Sequence, residues 1–280
     1  MATIAVGGAS GLIGTALVRH LRDRGDTVLR LVRGAAVQPD EVGWNPAKDE
    51  IHLEPCAEVD TLVNLSGAPI SHRWTAWRKR QILLSRVRCT RTLARAATEL
   101  GPHVALVSAS AVGYYGDRGD EVLTEGSTPG DDFLADVCLA WEAATASVEA
   151  AGIRTVHLRT GIVLDAGGGA LAKQLPAFKL GLGAKAGTGR QWMSWITLHD
   201  EVRAIRFALE HDTVTGPVNL TAPAPVTNAD FTDAVGEALH RPTFLTIPRF
   251  ARKAPFAAPF SWLPRRSRSC DSPAAPRARR

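Results

Sequence analysis

The stretch Thr3-Ile4-Ala5-Val6-Gly7-Gly8-Ala9-Ser10-Gly11-Leu12-Ile13-Gly14 lies near the start of this 280-residue chain. An apolar run, a glycine-rich turn and the start of a helical pattern follow one another directly, as in a Rossmann βαβ unit. One glycine of such a loop permits the tight turn, one lets the backbone approach a pyrophosphate, and one lets the helix pack closely on the strand. The stretch therefore predicts a dinucleotide site whose cofactor-binding residues are Gly8, Ser10, Gly11, Leu12, Ile13 and Gly14.

The end of the second predicted strand indicates which dinucleotide the loop takes. A chain that binds NAD usually carries an acidic residue about 20 residues beyond the loop, where it holds the ribose 2′-hydroxyl. Here the strand ends in Val32-Arg33-Gly34, without a carboxylate. Arginine pairs bidentately with phosphate, so we expect NADP(H), with Arg33 at the 2′-phosphate and Arg30 as a weaker candidate. The alternative is that Arg33 is a solvated loop charge.

Outward from this unit, short apolar runs alternate with helical patterns, which is typical of an α/β fold with a parallel sheet. The predicted strands are 3–7, 27–32, 61–65, 103–108 and 153–158. The predicted helices are 12–24, 75–100 and 132–151. Together they predict a Rossmann-type, doubly wound parallel sheet.

After about residue 160 the pattern loosens around glycine-rich loops. We predict a strand over 192–197, a helix over 200–210 with Asp200 as N-cap, and a helix over 228–240 capped by Thr227 or Asn228. The expected organisation has three parts. They are an NADP-binding Rossmann core over 1–160, substrate-lobe segments interleaved with the core over 161–250, and an atypical basic, Pro-rich tail over 251–280.

Composition and charge narrow the class of protein. The chain is 45% hydrophobic and 22% charged, as globular proteins are. Residues 249–280 hold nine basic and one acidic side chain, which leaves 24 basic and 27 acidic residues in the rest of the chain. The basic charge is therefore in the tail and not on a folded face, so no nucleic-acid partner is expected. The tail itself favours a disordered segment or, alternatively, a shifted reading frame.

Other features bear on metals and on the compartment. The four cysteines form no CxxC pair, so no metal site is expected. The sequence shows neither a membrane-length apolar run nor a signal peptide. We therefore expect a cytoplasmic protein with no membrane partner. The sequence does not predict an oligomeric state.

Further segments carry a family resemblance over about residues 1–250. They are Asn64-Leu65-Ser66-Gly67-Ala68, Arg73-Trp74-Thr75, Ser85-Arg86, 108–116, 130–138, Trp141-Glu142, 159–164, 189–196 and His199-Asp200-Glu201. With the glycine loop, and in this order, they resemble the extended and atypical short-chain dehydrogenase/reductases. More closely, they resemble the uncharacterised "epimerase family" group of NAD(P)-dependent epimerase/dehydratase-like proteins. The resemblance implies that Asn64, Leu65, Ser66 and Gly67 line the cofactor, and that Ser108 and Ala109 lie under the nicotinamide.

The same resemblance exposes a gap in the chemistry. Typical members use a Tyr-x-x-x-Lys pair, in which lysine lowers the pKa of the tyrosine so that it exchanges a proton with substrate. Here the matching helix reads Phe133-Leu134-Ala135-Asp136-Val137-Cys138. The serine position of the family aligns with Ala111, or with Ser110 after a shift of one residue. Tyr114 and Tyr115 are the substitute proton donors, unless they simply pack as loop aromatics.

Arginine and tryptophan side chains outline a substrate pocket. Arg73, Trp74, Arg190 and Trp192 suit an anionic, flat or ring-bearing molecule. The sequence thus predicts an NADP(H)-binding oxidoreductase or epimerase-like enzyme that acts on a small, anionic hydroxyl or carbonyl substrate. The alternative is a non-catalytic NADP(H)-binding redox sensor or regulatory protein, which the missing Tyr-x-x-x-Lys pair favours.

Overall fold

The computed structural model describes residues 1–247 and 268–269. Its strands are β1 (Thr3–Gly7), β2 (Thr27–Arg33), β3 (Glu41–Asn45), β4 (Glu50–Ile51), β5 (Thr61–Asn64), β6 (Ala105–Ala111), β7 (Val122–Leu123), β8 (Thr155–Thr160), β9 (Ile162–Leu164), β10 (Ala184–Ala186), β11 (Trp192–Met193), β12 (Trp195–Thr197), β13 (Gly216–Leu220), β14 (Val226–Thr227), β15 (Leu245–Ile247) and β16 (Arg268–Ser269). Its α-helices are α1 (Leu12–Asp23), α2 (Ala76–Leu100), α3 (Phe133–Ala143), α4 (Ala146–Ala150), α5 (Gly169–Lys179), α6 (Leu198–Glu210) and α7 (Asn228–Ala238).

Eight strands form the central sheet in the order β13-β8-β6-β5-β1-β2-β3-β4. All neighbours are parallel except β3 and β4, which form an antiparallel edge. The strand order reverses on the two sides of β1, so the carboxyl ends of β1 and β5 flank the crevice in which such sheets bind dinucleotides. The predicted doubly wound sheet is confirmed, although the sequence analysis did not predict β3, β4 and β13.

Helices cover both faces of the sheet. Ile4 and Val6 of β1 are buried in one apolar core with residues of α1 and α6. Ala5 faces the opposite way, into a second core beneath α2. The alternation within β1 thus places a helix layer on each side, as the period-two pattern of a strand requires. Helices α1 and α2 begin and end within about one residue of their predicted bounds.

The predicted helix over 132–151 is wrong in its middle. The structure ends α3 at Ala143 and begins α4 at Ala146. The Thr145 hydroxyl donates to the Glu142 carbonyl at 2.6 Å and also to the Glu149 carboxylate. A threonine that bonds back to the preceding turn competes with helix propagation, so the chain turns here in spite of its alanine-rich sequence.

The predicted strand over 192–197 and the predicted cap of the next helix also need correction. Strand β11 pairs with β14, whereas β12 pairs with β9, so the chain changes partner at Ser194. Helix α6 begins two residues before its predicted start, because Thr197 and not Asp200 is its N-cap and accepts from the Asp200 amide. Thr227 caps α7, as predicted, with a capping box to Asp230.

A smaller apolar cluster joins the segments that follow the core. Ile162, Ala186, Met193 and Phe231 are buried together. By contrast, α6 and β13 pack against the large sheet. The elements after residue 160 therefore pack partly in this small cluster and partly against the large sheet, and the division at residue 160 stays a prediction.

The tail prediction concerns residues 251–280, and only β16 of that range is described. This strand pairs in parallel with β7. Both interpretations of the tail, a disordered segment and a shifted frame, otherwise lie outside the described residues. In the described part of the chain, no helix combines the length and apolar character needed to cross a membrane.

Candidate functional site

The glycine loop between β1 and α1 is shaped by close backbone contacts. Gly8 has φ +81°, and a Cβ there would lie 2.7 Å from the Leu65 backbone. A Cβ at Gly14 would lie 2.2 Å from the Gly8 carbonyl oxygen, which also accepts from the Gly11 amide at 2.9 Å. Side chains at these positions would push the loop away from β5 and α1. The loop thus has the shape that brings backbone amides to a phosphate at a helix N-terminus.

A cavity of about 1080 Å³ opens from this loop along the carboxyl ends of β1, β2 and β5. Of the predicted cofactor residues, its walls include Gly8, Ser10, Gly11, Arg33, Leu65, Ser66 and Gly67. Trp44 and Cys89 line the same cavity, and neither was predicted. Because the fold and the glycine contacts leave this space open beside the helix N-terminus, the residues present fit a dinucleotide.

The other three predicted cofactor residues of the loop, Leu12, Ile13 and Gly14, do not line this cavity. Leu12 packs under the glycine loop that precedes α5, so closely that a Cβ at Gly168 would lie 2.6 Å from Leu12 Cδ1. Ile13 packs against the core shared by α1 and α6. Gly14 contributes the helix–loop contact described above. Their geometry indicates that they support the loop.

Asn64 and Ser108 are also buried supports. The Asn64 amide nitrogen donates to Thr90 Oγ1 at 2.8 Å, and its oxygen accepts from the Ser66 amide at 3.1 Å. Ser108 lies opposite Asn64 in the sheet register. Its neighbour Ala109 points to the other face of β6, because successive strand side chains alternate. These contacts fix the turn after β5, so that Leu65, Ser66 and Gly67 reach the cavity.

The two candidate arginines of β2 differ in their partners. Arg30 Nε and Nη2 donate to the two carboxylate oxygens of Asp40 at 2.7 and 2.9 Å, and Nη2 also reaches Glu41. Hydrogen bonding from Arg30 holds the pKa of Asp40 well below its usual value. Arg33 lines the cavity, and no carboxylate of the described residues forms an ion pair with it. Arg30 also lines this cavity, as do Arg19 and Arg22, but each of these three forms an ion pair with a carboxylate. Among the described residues, Arg33 is therefore the arginine of the cavity that is left for a ligand.

Two predicted catalytic hydroxyls are engaged inside a buried network. Ser110 Oγ donates to Glu142 Oε1 at 2.6 Å, and Tyr115 Oη donates to Asn219 Oδ1 at 2.7 Å. Arg159 joins them, since it donates to both Glu142 oxygens at 2.9 and 2.8 Å and to Tyr115 Oη at 3.1 Å. Burial raises the pKa of Tyr115, and Arg159 offsets only part of that effect. The network thus uses both hydroxyls to hold β6, β8 and α3 together.

Tyr114 has a different environment. Its ring stacks on the Arg159 guanidinium, 3.5 Å from ring centroid to Cζ. It lines a second groove, of about 620 Å³, with Leu139, Glu142 and Pro217. This groove shares no lining residue with the cavity described above. None of the three predicted catalytic residues, Tyr114, Tyr115 and Ser110, therefore lines the cofactor cavity.

A buried carboxyl lies below the carboxyl end of β8. Glu201 of α6 is fully buried, and its Oε1 accepts from Thr160 Oγ1 at 2.8 Å. Burial raises the pKa of Glu201 to about 8, since a charged carboxylate is poorly solvated there. The sequence offered a signal, because Glu201 shares a helix face with Ile205 and Ala208, both buried.

None of the four predicted substrate residues lines the cofactor cavity. Arg73, Trp74 and Arg190 lie in loops, and Trp192 lies in β11. Trp74 packs edge-on against Phe133, with ring centroids 5.3 Å apart, and donates to the Ile70 carbonyl. Trp192 Nε1 donates to Asp120 at 2.6 Å. Arg73 and Arg190 are exposed, and neither forms an ion pair with a carboxylate of the described residues. Trp74 and Trp192 are thus each anchored by a hydrogen bond from the indole nitrogen.

Sequence reasoning missed the ion pair of Arg159 with Glu142 and the environment of Arg86. Arg159 and Glu142 lie on different elements, β8 and α3, so their ion pair becomes visible only in the folded structure. In the described ranges, no group of three or more His, Cys, Asp or Glu side chains could hold a metal ion.

The comparison with known proteins agrees with this geometry. Residues 4–220 match the NAD dependent epimerase/dehydratase family, which spans the glycine loop and every strand of the central sheet. The chain belongs to the NAD dependent epimerase/dehydratase family. The resemblance inferred from sequence motifs is thereby confirmed.

Individual members of this epimerase family are similar over most of the chain. An epimerase family protein of Mycobacterium tuberculosis is 47% identical over 91% of this chain and 85% of its own length. The crystal structure of human epimerase family protein SDR39U1 (isoform 2) with NADPH superposes with a TM-score of 0.83 at 32% identity, over 96% of this chain and 90% of that one. A nucleoside-diphosphate sugar epimerase of Corynebacterium glutamicum superposes with a TM-score of 0.73 at 38% identity, over 90% of this chain and 54% of that one.

Proposed function

We propose that the chain binds NADP(H) and acts as an oxidoreductase or epimerase-like enzyme on a small, anionic hydroxyl or carbonyl substrate. The carrying observation is Arg33, which has no carboxylate partner among the described residues and faces the cavity of the glycine loop. Arg30, three residues earlier, is instead paired with Asp40 and Glu41 through its Nε and Nη2 atoms. An arginine left free at the end of β2 suits a 2′-phosphate. The similar human protein, crystallised with NADPH, supports the same cofactor.

In this proposal each part of the chain has a limited task. The glycine loop and the α1 N-terminus hold the pyrophosphate, Arg33 pairs with the 2′-phosphate, and Ser66 and Gly67 border the far side. When bound, the nicotinamide supplies or accepts a hydride. Arg73 and Arg190 attract the anionic group of the substrate, and Trp74 and Trp192 form flat apolar walls. A cytoplasmic location is part of the same proposal.

Exchange of Arg33 for Asp tests the cofactor assignment. NADPH affinity, measured by its fluorescence on binding, should fall about 100-fold, because a charge-assisted pair is replaced by repulsion. NADH affinity should hold or improve. Lys48→Asp makes the same charge change at an exposed site outside the cavity and should leave both affinities unchanged. Equal NADPH binding by Arg33→Asp and the wild type would show that the 2′-phosphate is held elsewhere.

The second candidate function is an NADP(H)-binding sensor without turnover. The observation that favours it is the engagement of Ser110 and Tyr115 in the Arg159 network. In addition, the helix segment from Phe133 to Cys138 holds neither a tyrosine nor a lysine. Loss of a positioned proton donor costs about 100- to 10,000-fold in rate. In a panel of anionic carbonyl compounds, NADPH oxidation above the protein-free rate supports the enzyme. Tight NADPH binding without oxidation supports the sensor.

The panel also tests Tyr114, the one predicted hydroxyl with no hydrogen bond to another described residue. We keep it as the proton donor of the enzymatic proposal. Tyr114→Phe should slow NADPH oxidation at least 100-fold and leave NADPH affinity within twofold. An unchanged rate would remove Tyr114 from the proposal.

A further inference from the structure

Arg86 is a cation held between α2, α3 and the turn after β5. Its Nη1 donates to the Ala68 carbonyl at 3.0 Å and to the Ile82 carbonyl of its own helix at 3.1 Å. Its guanidinium lies over the Trp141 ring, 4.9 Å from the centroid. Burial lowers the pKa of Arg86 from its ordinary value. The side chain is thus fixed on three sides by backbone oxygens and an aromatic face.

Gly67 is the point where this cation meets the cofactor cavity. A Cβ at Gly67 would lie 3.1–3.3 Å from the Arg86 Cζ, Nη1 and Nη2 atoms, so the guanidinium lies flat against the Gly67 backbone. The other side of Gly67 lines the cavity. Ser85 adds a second tether, since its hydroxyl accepts from the Ala68 amide at 2.9 Å. Only one layer of backbone therefore separates the charge of Arg86 from a bound dinucleotide.

Its lack of a counter-charge sets Arg86 apart. Arg159, which is buried, and Arg30, which is partly exposed, each donate to carboxylates. Arg86 has no carboxylate partner among the described residues, and its ionisable neighbours there are the thiols of Cys89 and Cys138. A buried charge without a counter-ion costs free energy, so Arg86 offers an uncompensated positive field to the nearest ligand.

The position of Arg86 along the sheet indicates which half of a bound dinucleotide lies nearest to its charge. A dinucleotide straddles the switch point of a doubly wound sheet, here between β1 and β5. Because Arg33 lies at the end of β2, the adenosine half lies on the β2 and β3 side. The nicotinamide half then lies over β5 and β6, where Arg86 packs against α3.

We propose that Arg86 is a positioning residue that fixes the Gly67–Ala68 turn and makes the site prefer the reduced cofactor. The inference rests on the proposed NADP(H) function. Oxidised nicotinamide carries a positive charge and reduced nicotinamide does not, so a fixed cation nearby repels NADP⁺ relative to NADPH. Arg86 thereby supplies a positive charge from α2 beside α3, which itself carries no lysine.

The test compares dissociation constants for both redox forms, by NADPH fluorescence and by displacement of NADPH with NADP⁺. In Arg86→Gln, the ratio of the NADP⁺ constant to the NADPH constant should fall about fivefold, which corresponds to roughly 1 kcal/mol of charge repulsion removed. Arg86→Lys keeps the charge and loses the planar fork, so both forms should bind more weakly at an unchanged ratio. Arg33→Gln is the control, because the 2′-phosphate is common to both forms and the ratio should hold.

The outcomes separate the two proposals. If Arg86→Gln weakens both forms equally, Arg86 is only structural and the inference is overturned. A lost preference in Arg86→Lys overturns it as well, even if the glutamine variant does not fold. If wild-type protein binds neither form, the proposed function itself fails. A wild type that binds both forms, with a ratio independent of residue 86, leaves the proposed function standing and removes this inference alone.

Discussion

Arginines on the two sides of the central sheet, near β8 and near β2, have opposite environments. Around β8, Arg159 is 3% exposed, and Glu142 and Tyr115 satisfy its donors. Around β2, Arg33 is exposed in a cavity and has no carboxylate partner among the described residues. Paired charges in a buried network hold a structure together, whereas an unpaired charge in a concave site is available to a ligand. The β2 side of the sheet therefore offers a free positive charge to a ligand, whereas the β8 side uses its arginine to hold the fold together.

The largest expected effect tests the buried end. Glu142→Ala removes the carboxylate that accepts from Arg159 and Ser110, and it leaves a buried guanidinium without its counter-charge. Breaking such a pair costs about 3–5 kcal/mol of unfolding free energy, measurable by urea denaturation. NADPH affinity of the folded fraction should stay within about twofold, because Glu142 does not line the cofactor cavity.

Glu121→Ala is the matched control for Glu142. It breaks the ion pair with Arg118, which is far more exposed, and should cost about 1 kcal/mol or less. If Glu142→Ala were no more destabilising than the control, the network would not be the structural support inferred above. A large loss of NADPH affinity at full stability would instead make the two ends of the sheet one functional unit.

The shape of the glycine loop could be predicted because the residues that form it lie close together in the sequence. Gly8, Gly11 and Gly14 carry both the turn and the helix contact, and Arg33 closes the next strand. Backbone sterics at these positions act over a few residues, so a local pattern reports them. Leu12 is predicted to bind the cofactor for the same reason and stays a prediction, whereas its contact with Gly168 is one that no local pattern could indicate.

The other end could not be predicted because it depends on contacts between distant segments. Tyr115 reaches Asn219 across 104 positions, and Ser110 reaches Glu142 across 32. A tyrosine beside a glycine-rich turn has the same sequence appearance whether its hydroxyl is buried or free. The break of α3 at Thr145 likewise arises from a side-chain bond that alanine-rich flanks do not announce.

A medium effect concerns pH. Glu201 has a pKa raised from 4.5 to about 8 by burial, so the folded state keeps a proton that the unfolded state releases. Unfolding free energy should therefore fall as pH rises from about 4.5 to about 8, by up to about 1.4 kcal/mol per pH unit. Glu201→Gln should remove this slope, as seen by urea denaturation at pH 5.5 and 7.5.

Glu237→Gln, on the exposed face of α7, is the control and should keep the wild-type slope. An identical slope in Glu201→Gln would mean that Glu201 is ionised in the fold. The fold would then hold the Glu201 carboxylate as a buried charge without an ion-pair partner among the described residues. The contrast between a paired buried Arg159 and an unpaired exposed Arg33 would no longer describe how this chain uses its charges.

The smallest expected effect is a change in the alkylation rate of the Cys89 thiol, which lies beside the cofactor cavity. Cys89 lines the cavity beside Ser66, and burial raises the pKa of its thiol from 9.0 to about 11. Since the thiolate is the reactive form, alkylation near pH 8 should be about 100-fold slower than for a thiol of ordinary pKa. Saturating NADPH should slow it further, because the cofactor would cover the cavity wall.

The measurement is iodoacetamide labelling followed by mass spectrometry in a Cys270→Ser background, with Cys89→Ser added as the baseline. Cys56 has a thiol pKa of about 11 as well but lies outside the cavity. Its labelling should therefore be slow and indifferent to NADPH, apart from any general stabilisation of the fold. Protection confined to Cys89 would map the cofactor onto the Arg33 end of the sheet. Equal protection of both thiols would report only tighter folding, and protection of neither would place the cofactor away from α2.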